Sequence, residues 1–123
     1  MLNPNYIILY VANAPASGKF YANLLGRDPV ENSETFVMFA LDSGVMLGLW
    51  ARRDVKPDTG AATGANSELC FKVNDRAAVD KRHADWKRAG LPVIQERTTM
   101  DFGYTFTAAD PDGHRLRVFA PTA

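Results

Sequence analysis

At 123 residues, with 46% hydrophobic and 23% charged side chains, the chain has the size and composition of one ordinary globular domain or two fused half-domains, and it can bury a real core. Fourteen Lys and Arg balance fourteen Asp and Glu, which leaves no basic stripe for nucleic acid. No apolar run approaches the roughly 20 residues of a membrane span, the opening Met1-Leu-Asn-Pro-Asn-Tyr6 does not read as a signal peptide, and the single Cys70 excludes an internal disulfide, so a reducing cytoplasm is expected.

Tyr6 to Val11 is β-branched and aromatic and reads as a strand. Its alternation puts Ile7, Leu9 and Val11 on a face packed by helices, and Tyr6, Ile8 and Tyr10 on a face turned to a groove. Asn13 is a helix N-cap, and Pro15 fits a first turn. Phe20 and Leu24, with Tyr21 and Leu25 beside them, give the i, i+4 face of a short helix that Gly26 ends. Residues 29–33 and 35–41 read as two strands. The turn Asp42-Ser43-Gly44 then leads to a strand over 45–51.

From Arg52 to Asn66 the apolar pattern stops, as it does in a crossover. The organisation read from the chain is module one over 4–52, a crossover over 53–66 and module two over 67–121. The second module opens with a strand from Ser67 to Val73. Asp75 caps a helix reaching about Ala89, with Val79, His83 and Trp86 as its buried face, and Gly90 and Pro92 end it. Strands follow at about 92–98, 103–109 and 114–120.

The order is therefore βαβββ twice, and the sequence itself repeats. Gly44-Val-Met-Leu-Gly-Leu-Trp-Ala51 matches Gly113-His-Arg-Leu-Arg-Val-Phe-Ala120, each after an acidic turn. Val11 answers Val73, and Gly26 answers Gly90. A repeat fixes architecture before any single residue is read. It predicts an α+β fold in which two modules with curved mixed sheets pack together, with a ligand groove between them.

This order, with Phe20-Tyr21 and Leu25-Gly26 in the first helix and Asp110-Pro-Asp-Gly-His114 before the last strand, resembles the glyoxalase/bleomycin-resistance/extradiol-dioxygenase superfamily, also called vicinal oxygen chelate. The resemblance covers essentially the whole chain and implies the glyoxalase fold more than any one activity. Enzymes of the family usually hold a divalent metal on His or Glu from the first and last strands of the modules, leaving an open position for substrate oxygens. The resemblance carries those positions to Tyr6, Gly48, Glu68 and Arg117. A glycine brings no side-chain ligand and an arginine is a permanent cation, so no metal and no other cofactor is expected. His83 reads as a partly buried, satisfied histidine, and His114 as part of its turn.

Within the superfamily the pattern is similar to the metal-free drug-binding proteins. It is closest in sequence to the phenazine antibiotic-resistance type, through Leu9-Tyr-Val-Ala-Asn13, Leu49-Trp50, Ser67-Glu68 and Asp110 to Val118. That similarity implies a homodimer sequestering an aromatic antibiotic. The expected ligand-binding residues are Trp50 and its repeat equivalent Phe119, Arg117 and Glu68, Tyr6 and Gly48, with Phe39, Phe102 and Tyr104 as further walls. Trp50 would stack on the ligand, beside room left by Gly48. Glu68 and Arg117 would form an ion pair, with Arg117 offering its planar fork to a ligand carboxylate. No catalytic residue is assigned. The alternative is a lyase, isomerase or dioxygenase-like enzyme with a displaced or absent metal, or with Glu68 as base.

Three fragments mislead. Asn13-Ala-Pro-Ala-Ser-Gly-Lys-Phe20 looks like a phosphate loop but has Asn for the first Gly and Phe for the final Ser or Thr. Asp101-Phe102-Gly103 stands without any other kinase element. Cys70 falls on the groove face by alternation, with no histidine placed to activate it.

Overall fold

The first half of the chain runs β1 (Tyr6–Val11), α1 (Ala14–Leu25), β2 (Glu31–Asn32), β3 (Phe36–Ala40) and β4 (Met46–Ala51). The second half repeats it as β5 (Glu68–Lys72), α2 (Arg76–Arg88), β6 (Val93–Met100), β7 (Gly103–Ala109) and β8 (Arg115–Pro121). The structure is a computed structural model that describes residues 2–60 and 67–122. It divides into two compact units, Met1–Gly64 and Ala65–Ala123. Each unit carries one four-stranded mixed sheet, ordered β1-β4-β3-β2 and β5-β8-β7-β6. This is the α+β arrangement of two βαβββ modules that the repeat predicts. The crossover starts with a 3₁₀ turn at Arg52–Asp54, and its 61–66 portion lies outside the described residues.

Local chemistry explains both helices. The Asn13 side chain accepts from the Ala16 amide at 2.9 Å, Pro15 sits in the first turn, and Gly26 closes α1 with a φ of 66°. The Asp75 side chain accepts from the Ala78 amide at 2.8 Å and starts α2. The buried face of α2 is Val79, His83 and Trp86, as the spacing predicts. The buried face of α1 differs from the expected one. It is Ala14, Ser17, Gly18 and Tyr21, while Phe20 and Leu24 stay partly exposed. The reason is closeness: a Cβ at Gly18 would lie 3.1 Å from Val37 Cγ1. Small residues let the helix settle onto the sheet, and larger ones at the same positions would hold it off.

In the first unit α1 covers β3 and β4. Leu9, Val11, Val37, Phe39, Leu47 and Leu49 form the core beneath it. The edge strand β1 is less covered, so Ile7 is 42% exposed although its alternation assigns it to the packed face. In the second unit α2 lies over β6, β7 and β8. Trp86 meets Phe106 edge-on at 5.5 Å and Phe71 at 5.6 Å, above Leu116 and Val118.

Two ionisable pairs serve this packing. The His83 ring, edge-on to Phe106, donates from Nε2 to Glu96 Oε1 at 2.9 Å. The buried His114 donates from Nδ1 to Asp110 Oδ2 at 2.9 Å, while Asp110 Oδ1 accepts from the amides of Asp112 and His114. The Asp-Pro-Asp-Gly-His turn is thereby closed on itself, and both histidines act structurally.

Candidate functional site

Each sheet has one face under its helix and one face away from it, and strand register decides what the open face carries. In the first unit Tyr6, Ile8 and Tyr10 pair with Met46, Gly48 and Trp50, and β3 adds Ala40, Met38 and Phe36 in the same rows. The result is an apolar and aromatic surface with two phenols. Tyr10 meets Trp50 edge-on at 6.4 Å. Gly48 is buried, but it leaves no slot. A Cβ there would lie 2.7 Å from Ile8 Cδ1 and 2.8 Å from Phe36 Cζ. The space expected beside Trp50 is filled by its cross-strand neighbours.

Phe39 is not part of this surface. It pairs with Leu47, so it shares the face of Val37 and Leu49, and it is fully buried under α1. Tyr104 likewise pairs with Ala120, which puts it on the helix side of the second sheet. Its hydroxyl donates to Asp80 of α2 at 2.7 Å, and the Arg76 guanidinium lies 3.9 Å over its ring. The bond to Asp80 keeps the Tyr104 hydroxyl protonated beyond its usual range. Phe39 is therefore a core residue, while Tyr104 lines a pocket on the helix side with Arg76 and Thr99 instead of the face that carries Arg117.

The open face of the second unit is polar. Glu68, Cys70 and Lys72 of β5 pair with Arg115, Arg117 and Phe119 of β8, and Thr107 and Thr105 of β7 sit opposite Arg117 and Phe119. Arg117 is the hub. Its Nε donates to Glu68 Oε2 at 3.0 Å and its Nη2 to Glu68 Oε1 at 3.4 Å. Its Nη1 donates to Gln95 Oε1 at 3.0 Å and to Thr105 Oγ1 at 3.3 Å. The Thr107 hydroxyl donates to the same Gln95 oxygen at 3.0 Å. Phe102, in the β6–β7 turn, meets Phe119 edge-on at 5.8 Å, and the Arg117 guanidinium lies 5.6 Å from the Phe102 ring centre.

The structure thus brings Glu68, Arg117, Phe102 and Phe119 together in the second unit, and sets Tyr6, Gly48 and Trp50 on one face of the first. Gln95, Thr105 and Thr107 complete the cluster and are absent from the expected site. The fork expected to be offered to a ligand carboxylate is closed on Glu68 instead.

Burial raises the Glu68 pKa, but the hydrogen bonds from Arg117 and Cys70, with the charges of Arg117 and Arg115, outweigh it and hold the carboxyl below its usual range. The Cys70 thiol, 3.2 Å from Glu68 Oε2, moves the other way. Burial, the hydrogen bond and the neighbouring negative charge all push it up. A thiol held protonated is a poor nucleophile.

The family's metal does not fit these residues. Glu68 is engaged by Arg117 through both oxygens, Gly48 has no donor and no free space, and Arg117 would repel a cation. Among the described residues no three His, Cys, Asp or Glu side chains gather to hold a metal ion.

Comparison with known proteins agrees on the family. Residues 3–118 match the Glyoxalase/Bleomycin resistance protein/Dioxygenase superfamily. The phenazine antibiotic resistance protein EhpR of Enterobacter agglomerans is 30% identical over 120 residues, covering 95% of this chain and 91% of that protein. A protein of Agrobacterium tumefaciens, solved by NMR in solution, is 52% identical with a TM-score of 0.92 over 100% of both chains. A glyoxalase-related enzyme from Fulvimarina pelagi shares the fold, with a TM-score of 0.80 at 22% identity over 98% of this chain and 88% of that one. With the repeat, the two βαβββ units and a match over nearly its full length, the chain belongs to the Glyoxalase/Bleomycin resistance protein/Dioxygenase superfamily.

Proposed function

We propose that the chain binds and sequesters a planar aromatic small molecule, an antibiotic of the phenazine type, without a metal and as a cytoplasmic homodimer. The observation that carries this reading is the fate of the metal positions. Glu68 and Arg117 neutralise each other beside Phe102 and Phe119, so the residues present suit a flat organic ligand better than a cation. The 30% identity to a phenazine antibiotic resistance protein supports the ligand class. Among the described residues no helix is long and apolar enough to cross a membrane, which is compatible with the proposed location.

In this reading each unit offers its own surface: Trp50, flanked by Tyr10 and Phe36, supplies stacking area in the first, and Glu68 with Arg117 supplies a polar contact in the second. Tyr6 adds a hydroxyl on the Trp50 face. Tryptophan fluorescence tests the idea. Trp86 is buried in the core of its unit, so quenching by added phenazine reports on Trp50. Saturable quenching at micromolar phenazine, abolished in Trp50→Phe, is expected. A flat titration across phenazines and quinones would end the reading.

A further inference from the structure

We propose that the polar cluster of the second unit recognises an uncharged hydrogen-bond acceptor on a flat ligand, a ring carbonyl or a carboxamide, through the side-chain amide of Gln95, and that Glu68 disfavours a ligand carboxylate there. The inference rests on the small-molecule-binding reading of the same face.

The argument begins with what Arg117 has left to give. A guanidinium has five N–H donors. Nε and Nη2 hold Glu68, and Nη1 holds Gln95 and Thr105. One N–H, the second of Nη2, is left, and a carboxylate taking it would sit beside Glu68 on the same nitrogen, which sets two like charges against one cation. The Cys70 thiol, donating to Glu68 Oε2 at 3.2 Å, fixes Glu68 further in that place. Arg115 and Lys72 lie on the same face but are exposed. Their attraction for a carboxylate, which Glu68 itself feels from Arg115, is weakened by solvent and salt.

Gln95 is oriented from two sides. Arg117 can only donate, so the amide must turn its oxygen toward it, and the Thr107 hydroxyl donates to the same oxygen. The amide nitrogen is thereby directed away. It meets the Met100 sulfur at 3.5 Å, a weak acceptor that a carbonyl oxygen displaces. The cluster thus presents an oriented neutral donor beside a compensated ion pair. Phe102, 43% exposed, gives a ring plane something to lie against. A neutral acceptor needs one N–H and brings no charge to desolvate.

The test uses a matched pair, phenazine-1-carboxamide and phenazine-1-carboxylate, titrated calorimetrically at neutral pH and about 0.15 M salt, where the Debye length is about 8 Å. The wild-type chain is expected to prefer the carboxamide by about ten-fold, because the carboxylate meets the like charge of Glu68. Gln95→Leu is expected to weaken carboxamide binding about ten-fold, the scale of one hydrogen bond to a well-placed donor. Glu68→Gln is expected to raise carboxylate affinity about ten-fold by freeing the Arg117 edge. The wild-type ratio needs no variant, so a variant that fails to fold does not protect the proposal. Equal or tighter binding of the carboxylate to wild type overturns it and leaves the binding function standing. No binding of either probe, or of unsubstituted phenazine, overturns both.

Discussion

Arg117 does not sit opposite Glu68. Its register partner on β5 is Cys70, while Glu68 pairs with Arg115, so the ion pair runs diagonally across two parallel strands and spans 3.0 Å between Nε and Oε2. A diagonal contact of this kind needs a long side chain, and Arg reaches it where a shorter ligand residue would not. The arrangement also puts the thiol of Cys70 in reach of the same carboxylate. One glutamate therefore ties β5 to β8 through Arg117 and holds Cys70 of its own strand.

That tie sets a pH dependence. The folded-state pKa of Glu68 is depressed, so its contribution to stability is full above the ordinary value of 4.5 and is lost as pH falls through the lower folded value. Melting temperature measured from pH 7 down to pH 3 should fall less steeply for Glu68→Gln than for wild type. Identical acid limbs would show that the pair contributes nothing. Asp80, Asp85 and Glu96 are depressed as well, so the variant should flatten the limb without abolishing it.

Gly103 should be the least replaceable glycine of the second unit. Its φ is +148°, and an added Cβ would collide with the backbone carbonyl oxygen of Ala120. Nothing flexible can yield there, so Gly103→Ala should cost about 3 kcal/mol. Gly44, at φ +93° with open space around it, is the control, and its Ala variant should cost about 1 kcal/mol. Chemical denaturation of both variants decides the matter. Equal losses would show that the contact with Ala120 relaxes.

Purified protein should carry no stoichiometric divalent metal. The motive is the donor set itself, in which Gly48 is filled over by Ile8 and Phe36 and Glu68 is held by Arg117. Elemental analysis is the measurement. One equivalent of zinc, nickel, iron or manganese, lost in Glu68→Gln, would restore the enzyme alternative.

A dimer is expected in solution. Tyr6, Ile7, Val30 and Ile94 are large apolar or aromatic residues left more than two-fifths exposed in the single chain, apolar surface that association would remove from water. A stable interface would bury more than about 1,000 Å². Light scattering at micromolar concentration should give twice the 13.5 kDa of the chain. A monomer would refute it.

Much of this was legible in the sequence because a repeat constrains parity. Once Gly44 and Gly113 are matched, Trp50 and Phe119 must share a face with Gly48 and Arg117, and they do. The α2 face was legible because Val79, His83 and Trp86 follow helical spacing. The α1 face was not, because a helix that approaches closely buries Gly18 and Ser17, which no hydrophobic scale marks as core. Phe39 and Tyr104 depend on antiparallel registers set by the turns before β4 and β7, and one residue of shift moves a side chain to the other face. Gln95 is the instructive miss. The pairing of β6 with β7 shifts between Val93 and Gln95 and again between Gln95 and Thr98. Simple alternation fails across such irregularities, so the residue that turns its amide oxygen to Arg117 could not be placed by counting.

Trp50 carries the last prediction. It is partly exposed at the centre of an aromatic row, between Tyr10 on β1 and Phe36 on β3. Because Ile8 and Phe36 fill the space over Gly48, a ligand cannot slot in beside the indole and must lie across it. Contact is then by area, which Trp50→Ala removes together with stacking worth about 0.5–1.5 kcal/mol beyond burial. A total loss of about 2 kcal/mol, close to thirty-fold in affinity, is expected for phenazines whatever their substituent. Trp50→Phe should keep most of the binding, since a ring remains. Melting temperature must be followed alongside, because the indole also packs edge-on against Tyr10 at 6.4 Å. Unchanged calorimetric affinity in a well-folded Trp50→Ala would remove this residue from the site and leave Phe102 and Phe119 as the aromatic contacts to test next.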